Sequence, residues 1–262
     1  MGLRILAHAI GQVVNHFGPA LRISGVLALT PTVLAMVVAP FIIGTAPQNP
    51  GPYVVFTLLY YLLSALFFSW LAVGWHRYVL LDEAPGRFLP RLSGDRPWAY
   101  FGRTIQIGLL TMVVVFVAGM PLGMLAAGIV QAAPGPLGLF YAAGPLFLLN
   151  WILTALVLRF SVVLPASAVG KPITLGEAWS KTSPGNGPIF VIALISMLCS
   201  VAAGWIGFWL ASIALLLGAV WQLATIWVTV ILAVSLLTTL YGHYVEGRPL
   251  ADSGKAARSE MA

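Results

Sequence analysis

Residues 182–242 form a run of 61 positions without one charged side chain. A run like that fits only where no face has to meet water. At about 1.5 Å of rise per residue it is also far more helix than the roughly 30 Å hydrocarbon layer of a bilayer needs. The run is therefore predicted to be a hairpin of two membrane spans, with its turn near Gly218. The same test, about 20 or more uncharged and mainly apolar residues, marks four further spans. The six lie near 23–46, 53–75, 104–130, 136–158, 188–212 and 220–243. Composition points the same way: 60% of the residues are apolar and 8% are charged, against roughly 45–50% and 25% in a soluble domain. The predicted fold is an all-α membrane protein, with residues 1–262 forming a single integral membrane domain.

The connections alternate in character. Ala46-Pro47-Gln48-Asn49-Pro50-Gly51 and Gln131-Ala132-Ala133-Pro134-Gly135 have the Pro/Gly chemistry of tight turns and carry no charge. All 13 Lys and Arg lie elsewhere. Arg4 and Arg22 precede or open span one, and Arg77, Arg87, Arg91, Arg96 and Arg103 follow span two. Arg159, Lys171 and Lys181 follow span four, and Arg248, Lys255 and Arg258 close the chain. Short loops rich in Lys and Arg stay cytoplasmic, so both termini are expected inside. The net charge of +6 is thereby assigned to juxtamembrane rims facing anionic headgroups. Nucleic acid is not an expected partner, because its binding would concentrate basic residues in one soluble module. Cys199 is the single cysteine and can form no internal disulfide.

Residues 1–17 do not read as a cleaved signal, since Arg4, His8, Asn15 and His16 interrupt the apolar positions. Leu3, Leu6, Ile10, Val13 and Phe17 recur at helical spacing and predict an amphipathic helix on the bilayer surface. A threefold internal repeat is expected as well, each unit being a surface helix followed by a transmembrane hairpin. Phe17-Gly18-Pro19, Phe101-Gly102-Arg103 and Asn186-Gly187-Pro188 lead into the odd spans. Arg77-Tyr78-Val79, Arg159-Phe160-Ser161 and His243-Tyr244-Val245 close the even ones. In the third unit Thr174-Leu175-Gly176-Glu177 fits a capping box and Ser183-Pro184-Gly185 a stop. In the second, Pro97 is a favoured first helical position, with Trp98 and Tyr100 at the interface.

Several of these segments carry a resemblance: Trp75-His76-Arg77-Tyr78-Val79-Leu80-Leu81-Asp82-Glu83, the stretch from Arg159-Phe160-Ser161 through Gly170 into Glu177-Ala178-Trp179, and Leu240-Tyr241-Gly242-His243. In them the chain resembles uncharacterised bacterial six-span integral membrane proteins, and is similar to the membrane domain attached to some glycerophosphodiester phosphodiesterases. The resemblance implies a six-span fold in the bacterial inner (cytoplasmic) membrane with no assigned activity. The clustered acidic and His residues of the phosphodiesterase's catalytic domain have no counterpart here, so hydrolysis is not implied.

No span contains Asp, Glu, Lys or Arg, which lowers the expectation of a proton-coupled transporter. Asn150 and Gln106 are the span amides that could line a pathway or, more commonly, tie helices together; Gln222 is a third. Pro31, Pro40, Pro121 and Pro145 are expected to kink their spans, and Gly119, Gly123 and Ala127 to permit close helix approach. His76, Arg77, Asp82 and Glu83 contain a possible base and an acid pair, but are read as a solvated hairpin end, with Arg77 and Arg159 reaching out to phosphates. Trp75, Trp98 and Trp179 on the inner side and Trp205, Trp209 and Trp221 on the outer are read as aromatic belts. The four His show no zinc spacing, and no nucleophile elbow, P-loop or dinucleotide fingerprint is present. Catalytic, metal and cofactor sites are accordingly expected to be none. The expected function is non-enzymatic contact with membrane lipids, or with a protein partner or second copy, through Arg77, Arg87, Arg91, Arg159 and Lys171. A passive transporter or channel for a small solute or lipid is the alternative.

Overall fold

A computed structural model of the chain describes residues 1–43, 50–86, 89–91 and 94–250. Among them no strand occurs, and six helices are long and apolar enough to cross a membrane. The chain runs as α1 (Gly2–Asn15), α2 (Phe17–Ile43), α3 (Pro50–Leu81), α4 (Arg96–Val114), α5 (Met120–Ala132), α6 (Pro136–Phe160), α7 (Val163–Ala168), α8 (Leu175–Thr182), α9 (Asn186–Ile213) and α10 (Leu215–Tyr244). The spans are α2, α3, α4 with α5, α6, α9 and α10. The calls on Arg87, Lys255 and Arg258, and on residues 46–49 of the first connector, lie outside the described residues.

Local chemistry explains the boundaries. Asp82, at φ 52°, takes the left-handed conformation that ends α3. Pro121 lacks an N–H and its ring crowds the carbonyl four residues back; a π-turn at Val115–Gly119 precedes it and joins α4 to α5 without a break in direction of chain. Pro145 lies inside an uninterrupted α6. Gly119 approaches Leu149 of α6, whereas Gly123 faces open space, so the expected small-residue stripe is only partly used. The turn between the last two spans sits at Ala214, which is extended at φ −156° and ψ 130°, rather than at Gly218. Gly218 is inside α10, and a Cβ there would lie 2.6 Å from Cβ of Ala211. The glycine therefore serves the close approach of α9 and α10, a need that reads in sequence like a turn signal.

Burial is concentrated at one end of the bundle. The buried positions include Ala20, Ile23 and Leu27 early in α2, Ile189, Ile192 and Ala193 early in α9, Leu71, Val73 and Trp75 late in α3, and Ile231, Leu236 and Leu240 late in α10. That is the end where the charged connections lie. Away from it the helices expose Leu58, Leu59, Phe116, Met124, Phe140 and Trp209, as spans bathed in lipid do. All six residues of α7 are buried, and this short helix packs against α3, α4 and α10. It wedges the charged end of the bundle shut.

The first helix departs from its expected place on the surface. Gly2, Ile5, Ala9 and Val13 are buried against α9 and α10, while Leu3 and Ile10 remain exposed. Gln12 Oε1 accepts from Ser235 Oγ at 2.9 Å, and Ser235 also bonds to the Ala9 carbonyl at 2.8 Å. Among the described residues the second hairpin has no separate surface helix: α4 starts at Arg96 and continues into the span.

Gly218→Val should open the α9–α10 hairpin and destabilise the chain by about 1–3 kcal/mol. Gly204→Ala in α9, where no atom lies within 4 Å of the added Cβ, should leave the detergent-solubilised melting temperature unchanged. Equal melting temperatures for the two variants would contradict this packing.

Candidate functional site

Four polar constellations gather at the closed end. The innermost is built on His76 of α3, which is fully buried. The Thr238 hydroxyl of α10 donates to the Val234 carbonyl at 2.9 Å, so its lone pairs are left to receive His76 Nδ1–H at 2.8 Å. Nε2 then accepts from the Tyr100 hydroxyl of α4 at 3.4 Å. This chain of neutral groups uses both imidazole nitrogens and ties α3, α4 and α10 together. His76 is thus a buried cross-link and not part of a solvated hairpin end. A histidine so engaged has no free nitrogen for acid–base work.

Arg77, one residue on, points the other way. Its guanidinium forms a two-pronged ion pair with Glu83 and donates from Nη1 to the Ala168 carbonyl at 3.0 Å. That carbonyl belongs to the last residue of α7, so the pair clamps the wedge to the end of α3. The Arg77 hydrogen bonds are the main reason the Glu83 carboxyl titrates below its usual range; burial opposes the effect, and the charges of Arg77 and Arg91 reinforce it.

Arg159, at the end of α6, is 4% exposed. It donates to Thr182 Oγ1 at 3.1 Å, the Trp179 carbonyl at 2.8 Å and Ser183 Oγ at 3.0 Å. Its guanidinium carbon also lies 3.4 Å from the Trp179 ring centroid. These partners are the last turn of α8, where a cation meets the negative end of the helix dipole. The Thr174–Glu177 capping box expected from sequence is present at the other end of α8 and fixes its start. Arg77 and Arg159 therefore bind the protein rather than reaching out to phosphates: the carbonyl and hydroxyl oxygens of α7 and α8 satisfy them more closely than headgroups could.

The remaining cations face outward. Arg91 is exposed, and Lys171 reaches Glu246 at 3.4 Å, which in turn holds Arg248 at 2.7 Å. On α4, Arg96, Ala99, Arg103 and Gln106 recur at helical spacing and line a recess of about 470 Å³, whose other wall includes Ser167 and Pro172. Arg103 donates to Gln106 Oε1 at 2.7 Å. Arg96 lies across Gly170, where an added Cβ would come within 2.9 Å of its Nη2 and where φ is +80°; it is the positive φ that calls for glycine. Among the described residues neither arginine pairs with a carboxylate. Sequence reasoning counted Arg96 and Arg103 without singling them out. The signal in the sequence is their seven-residue spacing, with the small residues Ala99 and Gly102 between them.

Gln106, expected as a pathway or packing residue, is exposed at this recess. Asn150 is also exposed and donates to the Met197 sulfur at 3.0 Å, tying α6 to α9. Trp98, Trp205 and Trp209 are exposed as belt residues should be. Trp179 is exposed as well, although Arg159 stacks on its ring, whereas Trp75 is fully buried and Trp221 donates to the Ala203 carbonyl at 2.9 Å. Comparison with known protein families, with curated proteins and with solved structures finds no match.

Thr238→Val strips His76 Nδ1–H of its acceptor and should cost about 1–3 kcal/mol, the penalty of a buried unpaired donor. Thr238→Ser should recover most of it, and chemical unfolding in detergent reads the difference. The Glu83–Arg77 pair predicts a pH dependence of known sign. Glu83 has a lower value folded than unfolded, so the pair's contribution is complete at neutral pH. It fades as pH falls below the unfolded carboxylate value of about 4.3 and through the folded one. Melting curves over that acid range should fall more steeply for the natural chain than for Glu83→Gln.

Proposed function

We propose that this is a non-enzymatic protein of the bacterial inner membrane that holds anionic lipid at its cytoplasmic rim. The observation that carries this reading is the recess between α4 and the segment following α7, with Arg96 and Arg103 on one wall. Both lie just before a long charge-free stretch that starts at Thr104, which supports a position at headgroup depth. Each Lys or Arg near an anionic surface contributes about 1 kcal/mol. The one-sided distribution of the 13 cations supports an orientation with both termini inside.

Two features favour lipid holding over passage of a solute. The charged end is filled by α7 together with Trp75 and His76, all buried. The span amide Asn150 is engaged between helices and not directed at a central path. The non-enzymatic reading draws on the engagement of His76 on both nitrogens and of Glu83 with Arg77. The three hairpins, α2 with α3, α4 and α5 with α6, and α9 with α10, are proposed to be repeats of one unit. In this proposal the second unit has fused its surface helix to its span.

Native mass spectrometry of the solubilised chain mixed with phosphatidylglycerol and with phosphatidylcholine tests the proposal. The anionic lipid should be retained preferentially. Arg103→Gln should weaken its retention about fivefold, the effect of one cation near an anionic surface. Arg159→Gln should instead lower thermal stability and leave lipid preference unchanged. Equal retention of the two lipids by the natural chain would end this reading.

A further inference from the structure

The recess presents its two cations at different depths. Arg103 is the last charge before the charge-free stretch, and Ile105, Leu109, Met112 and Val113 just below it are exposed apolar side chains suited to acyl chains. Arg103 therefore marks the hydrocarbon boundary, where the phosphate of a phospholipid sits. Arg96 is seven residues earlier on the same helical face, which places it roughly 10 Å farther along the helix axis. The segment Arg96–Ala132 is 37 residues long. At about 1.5 Å per residue it exceeds the roughly 30 Å hydrocarbon layer by enough to carry Arg96 beyond the first phosphate level.

The two guanidinium groups also have different neighbours. Arg103 is turned toward Gln106, deeper in the recess, by its 2.7 Å hydrogen bond. Arg96 lies over Gly170 on the opposite wall. Trp98, exposed and edge-on to Phe101, stands between them in sequence as an interfacial anchor. Charge-assisted arginine–phosphate bonds need donor–acceptor distances of about 2.8 Å. Two phosphates one headgroup apart would meet that requirement at both levels, each arginine keeping its own partner.

Resting on the anionic-lipid reading, we propose that the recess selects a lipid whose headgroup carries a second phosphate outward of the one attached to its glycerol. Arg103 takes the membrane-level phosphate and Arg96 the outer one.

The test compares phosphatidylglycerol phosphate with phosphatidylglycerol at matched total negative charge, by native mass spectrometry of the full chain in neutral detergent. The doubly phosphorylated lipid should be retained about tenfold better. Arg96→Gln should bring that ratio close to one without changing phosphatidylglycerol retention. Arg103→Gln should weaken both lipids, and both variants should remain monodisperse with unaltered melting temperatures. Equal retention of the two lipids by the natural chain overturns the selectivity and leaves the anionic-lipid reading standing. Retention of neither above phosphatidylcholine overturns both. Displacement of the lipid by an equal concentration of the soluble, deacylated headgroup would show that a free phosphorylated alcohol is the ligand, and would likewise overturn the proposal.

Discussion

A polar group taken out of water is costly unless it finds a partner within the protein, and at the closed end of this bundle His76 meets that requirement while the buried Trp75 indole N–H does not. His76 would be costly where it stands, buried among Trp75, Leu71 and α10, if either ring nitrogen were unmatched. Thr238 and Tyr100 meet both demands and in doing so fix the relative placement of α3, α4 and α10. Gln12 bonding to Ser235, and the Trp227 indole bonding to Ser24 at 2.8 Å, do the same for α1 and α2 against α10. Lipid supplies little net drive for apolar helices to associate, so such cross-links and close packing have to supply the specificity. They are concentrated at one end, and there the core is tight.

That asymmetry was partly legible in the sequence. The spans follow from length and absence of charge, and α8 follows from its capping box, because both depend on residues within one helix. What failed depended on neighbours distant in the chain. Gly218 was taken for a turn because glycine serves turns and close helix contacts equally well. The choice was made by Ala211, which a Cβ at 218 would overlap, and by Ala214 adopting an extended backbone. The buried wedge α7 was legible only as an apolar stretch in a charged connection. Nothing local in Val163-Leu164-Pro165 tells a surface segment from a plug held by Arg77 at its final carbonyl.

The arginines show the same division most clearly. Arg77, Arg96, Arg103 and Arg159 all stand at ends of apolar helices, and by position alone any of them suits a phosphate. Arg159 meets the carboxyl-terminal end of α8, with an indole beneath it, and Arg77 meets Glu83 and α7. Protein oxygen satisfies both. Arg96 and Arg103 emerge beside Ala99 and Gly102, which leave a hollow where a larger side chain would have filled the space.

Among the described residues Arg96 and Arg103 pair with no carboxylate, and in a bilayer the anion available to such a cation is a lipid phosphate. The fold has thus sorted its arginines into two kinds. Those facing carbonyls and acids tie α7 and α8 to the spans. Arg96 and Arg103 take no part in those contacts and line the recess instead. The two tasks are therefore separable: holding the fold together falls to arginines that protein oxygens satisfy, and the recess is left to arginines that are spared that work.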